Sequence, residues 1–212
     1  MNLENRFLST AIASVVPSKK EGEESRRIEG MAFLYNEWSR PMRGLLNGKP
    51  ITFIERILPG AADEADMSDV KARSEHSNSA ILARRKNGEG TLELELRAEG
   101  LWYGFNSPNT TAGNDTLENV KLRNVEGSSF AFQLASGGSV IRKREDGIYE
   151  RDIVKMSVIG DVATTVEPAY EATSVLNRSI DLAEELEQVN ETNGPSFDDF
   201  NARYLINKNS KF

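Results

Sequence analysis

Along much of this chain apolar residues alternate with polar ones in short runs, the period of β-strands. Residues 28–35 and 53–58 each predict a strand, the second stopped by Pro59-Gly60. Between them, residues 36–48 carry Pro and Gly and predict a loop, and residues 61–67 predict a short helix. Asp69 to Glu75 alternates and predicts a strand that ends at His76. Ile81 to Arg84, an Asn87-Gly88 turn and Thr91 to Leu96 follow, the last with the cleanest alternation in the chain. Leu101 to Phe105 predicts another strand, closed by Ser107-Pro108. Val140 to Arg144 and Ile148 to Arg151 flank Asp146-Gly147, a two-residue hairpin signal. Residues 153–159 and 162–166 complete this β-rich stretch.

Two segments break the alternation. Residues 113–123 have helical spacing, with Leu117 and Val120 three apart, and residues 174–191 carry Val175, Ile180, Leu182, Leu186 and Val189 on a helical period. Residues 1–27 begin weakly amphipathic and pass into dense mixed charge, which predicts a flexible N-terminal arm. The compact domain is then expected over residues 28–175, and residues 176–212 are expected to form a C-terminal helix and a flexible tail. Many short strands with few helices predict a β-rich α+β fold, a barrel or a sandwich.

Composition narrows the chemistry. The formal charge of −7 speaks against a general nucleic-acid surface. Cysteine is absent, which removes disulfides, a thiolate nucleophile and a cysteine-based zinc site. A single histidine, His76, leaves no basis for an imidazole-rich metal centre, and no metal or cofactor is called for. No run of about 20 apolar residues predicts a membrane span, and Met1 to Val16 makes a poor signal peptide. A soluble intracellular protein is expected.

The stretch of greatest chemical interest is Gly127-Ser128-Ser129-Phe130-Ala131-Phe132. It lies where the predicted helix gives way to a strand, with Gly127 at the junction to supply a positive φ. Both serines are then expected on a tight turn, their hydroxyls projecting while the phenylalanines anchor the backbone. A serine attacks a carbonyl slowly unless a base takes its proton, and an imidazole with an ordinary pKa near 6.5 suits that task. The only such base is His76. Its second ring nitrogen needs an acceptor to fix tautomer and orientation. Asp161, at the start of a strand, is one of several carboxylates that fit. As turn and loop residues, each of these side chains is individually more common in a plain surface role.

Five blocks in order give the chain a family resemblance. Ile28-Glu29-Gly30-Met31-Ala32, Ile57-Leu58-Pro59-Gly60-Ala61, Asp69 through His76, Gly127 through Phe132, and Asp161-Val162-Ala163 leading to Pro168-Ala169-Tyr170 together resemble the HK97-type prohead proteases of tailed bacteriophages. The resemblance implies Ser129 as nucleophile, His76 as general base and Asp161 as the acidic third member. The chain departs from the family pattern with Ser128 for methionine, Glu75 for asparagine and Asp161 where glutamate is common. The implied fold is similar to herpesvirus assemblins, a β-barrel surrounded by helices.

The implied activity is a serine endopeptidase in the interior of the phage prohead, within the bacterial host cytoplasm. Its implied partners are the major capsid protein with its scaffolding segment and the protease itself, with a homo-oligomer left open and no nucleic acid or membrane. The tail beyond Thr192 then becomes a candidate self-cleavage region. For the oxyanion, the Phe130 N–H is one candidate donor and an arginine of the Arg142-Lys143-Arg144 hairpin another. Two alternatives remain at this point: a catalytically inactive capsid-assembly or scaffold protein of the same fold, and a Ser/Lys peptidase using Lys121 or Lys143.

Overall fold

The computed structural model describes residues 4–18 and 24–166. The strands, in chain order, are β1 (Glu4–Val15), β2 (Arg27–Leu34), β3 (Met42–Leu46), β4 (Lys49–Ile57), β5 (Asp69–Ser74), β6 (Ile81–Lys86), β7 (Glu89–Gly90), β8 (Glu93–Arg97), β9 (Gly100–Asn106), β10 (Gly127–Leu134), β11 (Ser139–Lys143), β12 (Tyr149–Ile153) and β13 (Met156–Thr165). One helix, α1 (Thr111–Lys121), separates β9 from β10.

Nine strands form one sheet in the order β7-β6-β5-β13-β10-β1-β2-β9-β8. Its outermost strands, β7 and β8, are consecutive in sequence and joined by only Thr91 and Leu92. A link that short forces the sheet to curl until its two ends meet. The curl encloses the main core: Ile28 and Phe33 of β2, Val70 and Ala72 of β5, Tyr103 and Phe105 of β9, Phe130 and Phe132 of β10, and Ile159 and Val162 of β13, all at or near zero exposure. Helix α1 adds Leu117 and Val120 to the same cluster. The β-rich expectation therefore holds. No closed barrel is found among the described residues: β7 pairs with β6 and β8 with β9, no ladder joins β7 to β8, and there is one helix.

The second sheet has the order β11-β12-β4-β3. Its β4 and β12 run parallel and pair Glu55 with Arg151 and Arg56 with Asp152. The buried Arg151 guanidinium meets Glu55 at 3.1 Å. Asp152 takes Arg56 and Arg142, each at 2.7 Å. Charges this deeply buried need such partners, because an uncompensated one costs several kcal/mol, on the order of 3–5.

Four sequence expectations are corrected. The N-terminal arm is a central strand: β1 lies between β10 and β2. The charged run's end is also tied down, since Arg26 donates to the Ser107 and Pro108 carbonyls, both at 2.8 Å. The compact unit thus begins well before Ile28. Residues 36–48 contain β3, joined to β4 through Asn47-Gly48, whose φ values of 51° and 72° fit a tight hairpin turn. Residues 61–67 are not a helix: turns run through residue 64, and Asp66 makes an isolated parallel bridge to Val158. The two final predicted strands are one, β13, so Asp161 sits inside a strand and not at its start. Pro168-Ala169-Tyr170, the predicted 174–191 helix and the tail lie outside the described residues.

Candidate active site

Three neighbouring strands bring three side chains together. β10 carries Ser129, β13 beside it carries Asp161, and β5 on the far side of β13 leads into the turn that carries His76. Because β5 and β13 run parallel, with Ser74 beside Thr164, the turn after Ser74 emerges next to the end of β13. From there the imidazole reaches both neighbours. Its Nδ1 lies 2.7 Å from Asp161 Oδ1, and its Nε2 is hydrogen-bonded to Ser129 Oγ.

A carboxylate can only accept, so Nδ1 carries the proton and Nε2 presents its lone pair to the Ser129 hydroxyl. That is the tautomer a general base needs. The side chains are secluded: His76 is 8% exposed and Asp161 4%, and Ser129 is fully buried. Asp161's second oxygen, Oδ2, forms an ion pair with Arg73, whose Nη1 lies 3.0 Å away. Of the sequence-based candidates, Ser129 and Asp161 are thus each brought into contact with His76.

The two adjacent serines differ by face. Successive strand residues point to opposite sides of a sheet, so Ser129 shares Asp161's side while Ser128 shares that of Phe130 and Phe132. Ser128 Oγ is hydrogen-bonded to the Tyr103 hydroxyl at 2.7 Å, across the interior of the curled sheet. Burial pushes the Tyr103 phenol up to about 12, against a smaller opposing effect of the Ser128 hydrogen bond. Neither serine lies on a turn, contrary to expectation: both are inside β10. The helix does end in a left-handed residue, but it is Arg123, at φ 60°, and not Gly127.

The turn carrying His76 is unusual. Glu75 and His76 have φ of 51° and 54°, two successive left-handed residues that are not glycine, each unfavourable by about 1–2 kcal/mol. Compensating bonds surround them. Glu75 N–H donates to the Thr164 carbonyl at 3.0 Å. Its carboxylate accepts from the Thr165 hydroxyl at 2.9 Å and from Val166 N–H at 2.6 Å. Glu75 thereby clamps the His76 turn to the end of the strand that carries Asp161.

Sequence reasoning missed Arg73 and the clamping role of Glu75. Strand alternation could have found Arg73, since it puts that residue on the face opposite Val70 and Ala72, three positions before the base. Both oxyanion candidates are displaced. Phe130 lies in β10 with β1 on one side and β13 on the other, so its N–H belongs to a sheet ladder. Arg142 is bound to Asp152 and Glu150, and Arg144 to Asp146 and Glu150. The Ser/Lys alternative finds no support either: Lys121 pairs with Glu24, and Lys143 lies over the Tyr149 ring.

Among the described residues, no group of three or more carboxylate or imidazole side chains is placed to hold a metal ion. No described helix is long and apolar enough to cross a membrane. In comparison with known proteins, the sequence model of the caudovirus prohead serine proteases matches residues 14–188 of the 212. No curated protein and no solved structure matches the chain.

Proposed function

The chain belongs to the caudovirus prohead serine protease family, and on that premise we propose that Ser129, His76 and Asp161 are its catalytic triad. Family membership indicates a serine peptidase that acts on capsid proteins during maturation, inside the prohead. The proposal is finer: an endopeptidase that cuts the scaffolding segment of the major capsid protein and its own chain, on a scaffold that is a variant of the assemblin-like barrel. The observation that supports it most is the single imidazole bonded at once to Ser129 Oγ and to Asp161.

The steps follow from the atoms. Ser129 Oγ adds to the scissile carbonyl carbon as its proton passes to His76 Nε2, giving a tetrahedral oxyanion and an imidazolium. Asp161 Oδ1, holding Nδ1–H, opposes the new positive charge and keeps the ring aligned. Collapse of the oxyanion breaks the C–N bond, and Nε2–H supplies the proton that the leaving amine needs. Water then repeats the sequence on the acyl-enzyme: Nε2 takes its proton, the acid product departs, and Ser129 regains its hydrogen.

Incubation of the full chain with a fluorophosphonate, followed by peptide mapping, tests the assignment. Modification at Ser129 that disappears in Ser129→Ala supports it. A folded, unmodified protein would instead favour a catalytically inactive assembly protein. Co-expression with the capsid protein, read by mass mapping of the cut sites, identifies the substrate bonds and shows whether the tail beyond Thr192 is removed.

A further inference from the structure

We propose that Arg73 is a positioning residue of this site, acting on the base through Asp161; the proposal rests on the triad reading above. A carboxylate held by one oxygen can rotate about its last side-chain bond. Asp161 is held by both, with Oδ1 on His76 Nδ1 at 2.7 Å and Oδ2 on Arg73 Nη1 at 3.0 Å. The guanidinium therefore fixes the plane in which Oδ1 meets the imidazole. Register supports this placement: Ser129, Ala163 and Arg73 form one row across β10, β13 and β5, with Asp161 two residues from Ala163 on the same face. The nucleophile and the guanidinium thus stand on either side of the strand that carries the acid.

A second observation separates Arg73 from an ordinary ion pair. Its Nε is buried and has no hydrogen-bond partner among the described residues. A buried donor left unpaired is unfavourable, so burial of this side chain is not optimised for stability alone. An apolar side chain of similar length would fill the same space without that penalty, but it would release Oδ2.

The charge has its own consequence. With a neutral imidazole, the Arg73 cation balances the Asp161 anion, and protonation of His76 adds a positive charge near one already present. Loss of that cation would leave the Asp161 carboxylate with His76 as its one remaining ionic partner among the described residues. The other charged groups on this face of the described sheet are committed or more distant. Lys71 and Arg84 both pair with Asp69. Lys86 is in register with Asp69 at the outer strand. Glu75 is bound to Thr165 and Val166. Besides Ser129, β10 contributes only the uncharged Ala131 and Gln133 to this face.

The test is the rate of fluorophosphonate labelling at Ser129 in the full-length protein from pH 5 to 9. Arg73→Met is expected to move the acid side of the profile up by about one pH unit and to slow labelling about tenfold or more at pH 6. Arg73→Lys keeps the charge and is expected to restore the acid side even where the rate stays reduced. Arg73→Gln repeats the loss of charge with a hydrogen-bonding side chain, should Arg73→Met fail to fold. Profiles of a folded Arg73→Met or Arg73→Gln superimposable on wild type would overturn the proposal while leaving the triad intact. A wild-type protein not labelled at all would overturn the triad, and the role of Arg73 with it.

Discussion

Ser128 and Ser129 are adjacent hydroxyls with opposite fates, and their separation is open to measurement. Ser128→Ala removes the partner of the Tyr103 hydroxyl, which is completely buried. A buried donor left without its partner costs about 1–3 kcal/mol, and the upper half of that range applies because no solvent reaches this phenol. Tyr103→Phe is expected to cost less, about 1 kcal/mol. The Ser128 hydroxyl then has a substitute, because Thr164 faces it in register and its buried Oγ1 lacks a partner. The double variant removes both groups, so the two losses should overlap by about 1 kcal/mol and not add. Urea unfolding of the four proteins gives the cycle, and fluorophosphonate labelling gives the function. Ser128→Ala should label Ser129 at close to the wild-type rate, because the hydroxyl it removes points away from His76. Strictly additive losses in the cycle would refute the buried hydrogen bond. Loss of labelling in a folded Ser128→Ala, with retention in Ser129→Ala, would refute the assignment of faces in β10.

Further outcomes are expected elsewhere. Asp161→Asn should lower the labelling and cleavage rates by up to about 10⁴-fold, since an amide no longer fixes the tautomer; an unchanged rate would move the third role to another acid. Ala163 lies beside Ser129 in register and is 1% exposed, so Ala163→Leu should crowd the base and slow labelling by about 100-fold, with wild-type labelling as the refuting result. The raised Tyr103 value also predicts alkaline sensitivity. A phenol whose folded value lies above the unfolded value of about 10 contributes its stability in full below pH ~10 and loses it as pH rises towards 12. That difference of about two units corresponds to roughly 3 kcal/mol, and Tyr103→Phe should remove it from a series of melts between pH 9 and 12.

The residue types of the proposed triad stand out in the sequence because their chemistry leaves so few choices. One histidine admits one imidazole base, and the Gly127-Ser128-Ser129 stretch followed by alternating phenylalanines singles out two hydroxyls as candidate nucleophiles. Choosing between those two needed the phase of β10, which the Phe130 and Phe132 spacing supplies. The strand that supports them was much harder to see. β1 lies in the middle of the sheet between β10 and β2, but its large apolar residues Phe7, Leu8, Ile12 and Val15 follow no period of two, and its register shifts between Leu8 and Ile12. Its sequence therefore looked like an arm. β3 was hidden for a different reason: Asn47-Gly48 signals a hairpin, but the preceding Pro41 and Gly44 suggested a loop. The supporting side chains were the least legible. Arg73 reads as the polar position of an alternating strand, and nothing local distinguishes it from Lys71, which pairs with Asp69 instead. The difference between them arises across strands, since parallel pairing sets Arg73 beside Ala163 and so lets its guanidinium reach Asp161, a residue 88 positions away in the chain. A candidate site assembled across β5, β13 and β10 thus shows its proposed reacting groups in the sequence through their scarcity, and its supporting residues only through the pairing of strands.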